Sequence, residues 1–287
     1  MLALSTAAPF FRQAEPTHPM ASAAFRLAVA FVCLLPFLLR AVVTRRPPRR
    51  FWTHAAVAGV FYALHFGTWV TSLTMTSVAA SVTLVTATPL ILAVWAVFRK
   101  IDRPTPRTWT ALAISAVGMA VIGGHDLGLS PTHAVGDLLA VAGAFSMAGY
   151  LLVARRLGPD LDVFAFMAVA TGCGAIVLYV ACFATGVDAA PASSRALLFL
   201  LLAALIPQLI GHNLLTWALR HTTPTTVGIA TVGEPVGATI LAWIWLGESV
   251  GFLVVVGCTL TISGVILAIT SGARKPTRAS PTEVGEP

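Results

Sequence analysis

Apolar positions along this chain do not alternate with polar ones; they fall in long blocks. The blocks run at about 21–42, 53–73, 77–98, 108–124, 134–154, 162–184, 195–217, 225–246 and 250–270. Each is close to the ~20 residues that cross a ~30 Å hydrocarbon core as a helix. A β-barrel would instead show weak alternating segments of ~10 residues. One further apolar piece, Leu2–Phe11, is a stub: at about 1.5 Å per residue it reaches only ~15 Å. It lacks the basic flank of a signal peptide. The pattern predicts an all-α polytopic membrane protein with nine full spans and the stub.

Composition agrees. Of 287 residues, 57% are hydrophobic and only 10% charged, against ~25% charged in soluble domains. The net charge of +7 does not suggest a nucleic-acid partner, because the basic residues sit between the blocks. If the stub runs outward and spans alternate, all Lys and Arg except Arg12, Arg26 and Arg195 fall on one side. The positive-inside rule makes that side, and the C-terminus, cytoplasmic, in a multi-pass protein of the plasma membrane. Cys33, Cys173, Cys182 and Cys258 lie inside apolar blocks with no CxxC pattern, as small packing residues do.

The chain is written twice. A shift of 146 residues brings Leu73 onto Leu219, Thr76 onto Thr222, Pro89 onto Pro235, Ala96 onto Ala242, Asp102 onto Glu248 and Gly118 onto Gly264. A proline, an acid and a glycine thus recur at matched spacing. Five spans per copy is an odd number, so the copies are inverted in the membrane, an arrangement that puts a transport site at the repeat interface near the midplane. The expected organisation is a ten-helix plan from two inverted five-helix repeats. Residues 1–124 form the first, with helix 1 incomplete, and residues 134–270 the second. Residues 271–287 form a polar, proline-rich cytoplasmic tail read as disordered. A shift of about 141 pairs block 134–154 with the stub, which would then lack about eight residues; a start codon placed too far downstream is favoured over true truncation, since a half-helix exposes unpaired backbone to lipid.

The paired blocks TSVAASVTLVTATPLILAVWAVFRKID and TTPTTVGIATVGEPVGATILAWIWLGE, each followed by a span with glycine, give the chain its resemblance to a known family. It resembles the EamA-type branch of the drug/metabolite transporter superfamily over nearly its whole length. The arginine that opens the second helix in that family falls on Arg26, and the glutamate-proline pair of its ninth helix on Glu234 and Pro235. The family's aromatic-glycine opening of helix 1 is absent, and Asp102 stands where glutamate is usual. The resemblance implies a secondary transporter, commonly an exporter of small metabolites or drugs, with no ATPase and no prosthetic group.

Several residues are candidates for chemistry. Glu234 lies about nine residues into its span, ~14 Å deep and near the midplane. A carboxylate there costs about 2.5–3.5 kcal/mol to insert, so it reads as a proton-coupling or gating group, with a helix-stitching role as the structural alternative and direct substrate contact as a third reading. Pro235 and its copy Pro89 each remove an N–H and free the carbonyl four residues earlier. Tyr62, His65, Trp69 and Ser72 share one helix face, as do Gln208, His212 and Thr216, with Asn213 adjacent. The 146 shift maps Tyr62 onto Gln208, so the two stripes are expected to face each other across a partly wet cavity suited to an amphipathic organic ligand. The bland alternative is interhelical hydrogen bonding. Thr83, Thr86 and Thr88 precede Pro89, and Thr83 is either a ligand contact or bonded back to its own helix. Arg26 could attract an anionic group, pair with a carboxylate, or snorkel to the interface.

Other features read as packing or topology. Ala140, Ala144 and Ala148, and Gly233 with Gly237, form small-residue faces. Asp102 and Glu248 precede spans and complement the positive helix ends there. His125, Asp126, His133 and Asp137 read as outer-loop polars and a helix start, with no metal expected. No HExxH and no paired intramembrane aspartates are present in the sequence, so an enzyme is not expected. The function expected is secondary transport of a small organic molecule by alternating access, with protons as coupling ion; the competing class is a non-transporting scaffold or receptor-like protein. The partners expected are that substrate, protons and the lipid bilayer, with a homodimer left open. No cofactor is expected.

Overall fold

The computed structural model describes residues 2–99, 105–157, 162–221, 231 and 233–272, and every element among them is helical. The stub is α1 (Leu2–Ser5) with α2 (Ala7–Gln13). Next come α3 (Pro19–Arg45), α4 (Arg49–Leu73), and a span in two pieces, α5 (Val78–Val85) and α6 (Thr88–Phe98). α7 (Pro106–Leu129), α8 (Pro131–Arg155) and α9 (Val163–Thr185) complete the middle of the chain. The eighth span is α10 (Ser194–Ala203), a π-helical stretch Ala204–His212, and α11 (Asn213–His221); then follow α12 (Gly233–Leu241), a π-helical turn Ala242–Leu246, and α13 (Phe252–Gly272). These make up the ten-helix plan. The first part of the ninth span, the acid Asp102, and the tail after Gly272 lie outside the described residues.

Local chemistry places most boundaries where the blocks predicted them. Ser77, Ser130, Asp162 and Ser193 each accept a backbone N–H from the first turn that follows, satisfying donors a helix start leaves unpaired. Gly186 and Gly247 end their helices at φ 69° and 68°, a backbone glycine adopts freely. Two departures have physical causes. Block 195–217 is not uniformly α-helical: Pro207 lies inside it, and the wider π ladder absorbs the missing N–H. The expected outer loop at 125–133 is almost entirely helical, because α7 runs to Leu129 and α8 starts at Pro131. Ser130 Oγ accepts the His133 N–H at 3.3 Å, so His133 belongs to a helix cap. The side chains of His125 and Asp126 lie outside those described.

Among the described residues six helices are long and apolar enough to cross a membrane, and Trp109–Ile122 and Phe252–Leu267 are shorter apolar stretches. Large apolar side chains such as Val32, Phe183 and Ile244 stand on the outer surface, the face lipid would cover. Inside, small residues let backbones approach. Ala140, Ala144 and Ala148 are buried, and a methyl on Gly143 of the same helix would press on Val85 and Trp69.

The packing of α7 on α13 displays the duplication. A Cβ on Gly118 would lie 2.5 Å from Thr261 N, and one on Gly264 would lie 2.7 Å from Ser115 N and Ala111 O. One on Gly257 would lie 2.6 Å from Ile122 Cγ1. As positions rise along α7 their partners fall along α13, so the two helices are antiparallel. The partners also exchange under the 146 shift: Ser115 corresponds to Thr261 and Gly118 to Gly264. Ser115 Oγ donates to its own copy's carbonyl, Thr261 O, at 3.2 Å. This interface therefore holds the pseudo-twofold of the inverted repeat.

Loops the alternation put on one side do meet. Thr17 Oγ1 accepts the Ala192 N–H at 3.0 Å, Arg195 bonds Gln13, and Arg12 pairs with Glu248 at 3.0 Å. At the opposite rim Arg45 pairs with Asp162 at 3.1 Å. Glu248 does something other than expected. Instead of serving the helix that follows it, its Oε2 accepts the Val78 N–H at the start of α5, 3.1 Å away and in the other repeat. Arg12 also donates to Thr76 O at 3.3 Å, so one carboxylate ties the stub to both repeats. Glu248→Ala should lower the melting temperature in detergent by the equivalent of about 1 kcal/mol, a typical cap loss. Glu248→Gln should lower it less, since the amide oxygen still accepts from Val78.

Candidate functional site

A cavity of about 60 Å³ lies between the repeats, room for a few water molecules. The first repeat supplies Leu4, His65, Trp69, Val85, Thr86, Thr88, Pro89 and Leu92; the second supplies Met147, Leu151, His212, Leu215, Thr231 and Glu234. The break between α5 and α6 and the start of α12 thus lie at the same place. In the first, Pro89 leaves the Val85 carbonyl without its usual donor. The Thr88 hydroxyl donates to that oxygen at 3.0 Å and reaches Ala144 O at 3.3 Å. In the second, the position equivalent to Thr88 is Glu234, beside the buried Pro235. Ser5 Oγ from the stub donates to the Glu234 carbonyl at 3.3 Å. Glu234 is the one carboxylate in the cavity lining among the described residues.

The two polar stripes do face one another. His65 Nδ1 donates to Gly143 O at 2.9 Å, which leaves Nε2 as the acceptor of the neutral ring. Its ring lies parallel to Trp69 with centroids 6.0 Å apart. Across the interface His212 meets Tyr62 and Phe66 edge-on at 5.9 and 5.4 Å. His65, Trp69 and His212 line the cavity.

The remaining candidates sit elsewhere. Tyr62, Gln208, Asn213 and Arg26 are buried one layer behind the lining. Arg26 does not snorkel: it is fully buried, its Nε donates to Gln208 Oε1 at 3.0 Å, and its guanidinium lies 4.4 Å from the Phe66 ring and 5.4 Å from the Phe11 ring. α3 begins at Pro19, so Arg26 is about 10 Å down the helix, and the aromatic pocket there holds its head inward. It attracts Glu234 through space without ion-pair contact. Thr83 neither lines the main cavity nor bonds back to its helix; its hydroxyl donates to Cys258 Sγ on α13 at 3.0 Å. It borders a smaller pocket with Thr86, Pro235 and Thr261.

Tyr150 was not legible as a site residue. It stacks on Tyr62 with centroids 4.2 Å apart, and its hydroxyl bonds Thr216 at 3.0 Å and Met167 Sδ at 2.9 Å. Its signal was available: Met147, Tyr150 and Leu151 share one face of α8, and two of them line the cavity.

The sequence model of the EamA-like transporter family matches residues 1–124 and 134–270. The chain belongs to the EamA-like transporter family. It is accordingly a multi-pass membrane protein of a transporter family, with a small-molecule substrate and a lipid environment. A crystal structure titled only as that of a protein superposes with a TM-score of 0.69, at 18% identity and covering 95% of each chain; at that identity the likeness concerns the fold. No curated protein matches the chain.

Proposed function

We propose that this EamA-like transporter moves a small organic molecule out of the cell by alternating access, coupled to protons through Glu234. The observation that carries this is one carboxylate, beside the buried Pro235, lining a cavity between inverted repeats among the described residues. At the equivalent position Thr88 closes the break of the first repeat by donating a hydroxyl hydrogen. A carboxyl there donates only when it carries a proton, so protonation and the local helix geometry are linked. In this reading the C-terminus is cytoplasmic in the plasma membrane, and the rim tied by Arg12 and Glu248 is the outer gate, with Pro89 and Pro235 as the points that bend. The two repeats rock about the cavity between them.

The lining is mostly aliphatic, with Trp69 and the imidazoles of His65 and His212 set in it, so it supplies apolar contact with a few fixed polar groups. Trp69→Ala and His212→Ala should each raise the apparent KM of transport by roughly tenfold, about 1.4 kcal/mol of lost binding, with membrane insertion unchanged. Substrate screening in a deletion strain, followed by flux measurements in proteoliposomes with and without an imposed pH gradient, tests the reading. Absence of flux for every compound the strain fails to tolerate would overturn it.

A further inference from the structure

The cluster around Arg26 has too many hydrogen-bond donors for its acceptors. The Arg26 Nε–Gln208 Oε1 bond fixes the amide, since a guanidinium cannot accept and the oxygen must face it. Gln208 Nε2 is therefore a donor. It, both Nη atoms of Arg26 and Trp69 Nε1 are buried with no hydrogen-bond partner among the described residues, and all four can only donate. The Tyr62 hydroxyl lies within reach of Gln208 and Tyr150, and it can accept from the Gln208 amide as well as donate. Against these donors stand the Asn213 Oδ1 acceptor, with the Tyr62 hydroxyl and His212 Nδ1 able to serve either way. Buried donors left unmade are costly, charged ones most of all. A cluster of this kind is complementary to a group that brings acceptors.

We propose that Arg26, Gln208 and Tyr62 receive the carboxylate of the substrate, which is a monoanion with a flat apolar body. This rests on the transporter reading of the same site and names its substrate class. A carboxylate presents two oxygens to the two free Nη atoms, the fork geometry arginine suits. A single charge is favoured over two. Arg26 is the one Lys or Arg among the buried residues described, and a dianion would leave excess negative charge beside Glu234. The flat body follows from the walls. Phe66 and Phe11 both lie against the guanidinium, and Trp69 contacts both of those rings. The body lies in the cavity against Trp69, His65 and His212. One ring layer separates the guanidinium from the cavity, so binding turns Phe11 or Phe66 aside.

The test is equilibrium binding of tritiated 3-phenylpropionate to the full chain in nanodiscs, with 3-phenylpropionamide, 3-phenylpropylamine and 2-phenylethylphosphonate as competitors. The acid should bind saturably, and each competitor should be weaker by roughly tenfold or more, as for a site built to pair a polar group. Arg26→Lys keeps the charge and loses the fork; Gln208→Leu removes one donor and keeps the charge. Both should weaken the acid by roughly tenfold or more with little effect on the amide, in samples that stay monodisperse. If Arg26→Lys does not fold, Gln208→Leu and the competitor series decide. Equal competition by the amide, wild-type affinity in Gln208→Leu, or no saturable binding of the acid or of phenylacetate overturns the proposal. Flux of the amine in proteoliposomes without flux of the acid overturns it and leaves the transporter reading standing. Binding of the acid with no flux of any compound supports the site and removes the transporter reading.

Discussion

Glu234→Gln should abolish the response of transport to a pH gradient while leaving the protein folded. Glutamine keeps the shape and one acceptor oxygen of the carboxyl but cannot take up or release a proton. The wild-type chain places an ionisable group at membrane depth, at a cost of about 2.5–3.5 kcal/mol when charged. Removing the charge relieves that cost, so the melting temperature of the variant should hold or rise. Net flux driven by an imposed gradient should fall by roughly a hundredfold, the scale expected when an essential proton-transfer group is lost. Substrate binding should survive, because glutamine fills the same space in the cavity lining. The check is uptake into proteoliposomes at matched and unmatched pH for both proteins. A variant that still responds to the gradient as wild type does would remove Glu234 from the coupling step. A variant with wild-type response and a lowered melting temperature would assign it the helix-stitching role instead.

The second large effect is expected where the repeats meet. Gly118 and Gly264 face backbone at distances no Cβ tolerates, 2.5 Å to Thr261 N and 2.7 Å to Ser115 N. Flexible side chains could move aside, but here the obstructing atoms belong to the partner helix itself. A single added methyl should cost about 1–3 kcal/mol, the usual range for overpacking, so Gly118→Ala and Gly264→Ala should lower the melting temperature similarly. That similarity is itself a prediction of the pseudo-twofold. Gly118→Leu, which must separate α7 from α13, should leave no monodisperse species in size-exclusion chromatography. Gly186→Ala is the contrast. Nothing lies within 4 Å of its would-be Cβ and only its φ of 69° opposes the change, so it should cost about 1 kcal/mol. Equal tolerance of leucine at positions 118 and 186 would show that the α7–α13 contact does not hold the repeats together.

Much of the architecture was legible because a membrane enforces simple rules. Backbone groups in hydrocarbon must pair internally, so apolar blocks of span length become helices with few alternatives. The duplication was legible because Pro89, Asp102 and Gly118 have unusual side chains in an otherwise monotonous text. Glu234 stood out for the same reason, as a charge without company in its block. The boundaries were harder. Pro207 is plain in the sequence, yet whether a proline ends a helix, kinks it or is absorbed by a π ladder depends on what packs beside it.

The residues around the cavity divide along the same line. Periodicity put Tyr62, His65 and Trp69 on one face, and Gln208 and His212 on another, and the 146 shift brought those faces together. Periodicity is silent on depth. It cannot say that Trp69 and His212 reach the cavity while Tyr62 and Gln208 stop one layer short, because those differences arise from helix crossing and ring packing. Thr83 illustrates the limit: one turn separates it from the cavity-lining Thr86, and a cysteine on α13 claims its hydroxyl. For Arg26 a snorkelling head and a buried one have the same sequence signature. The pocket of Phe11, Phe66 and Gln208, assembled from three segments distant in the chain, decides between them.

What the residues alone determined, then, is the class of solvent, the number of crossings, the inverted duplication and the isolated carboxylate beside its proline. Each follows from local composition or from spacing along one chain. What only the tertiary structure decided is which polar atoms meet. Examples are the Glu248 carboxylate on a helix start in the opposite repeat, the stub wedged against Gly211 and Gly237, and the unpaired donors gathered around a buried arginine. Those outcomes depend on distances between helices that share no sequence neighbourhood. Small residues set how closely such helices approach, and a change of one methyl in that spacing would rearrange every contact in the cavity wall.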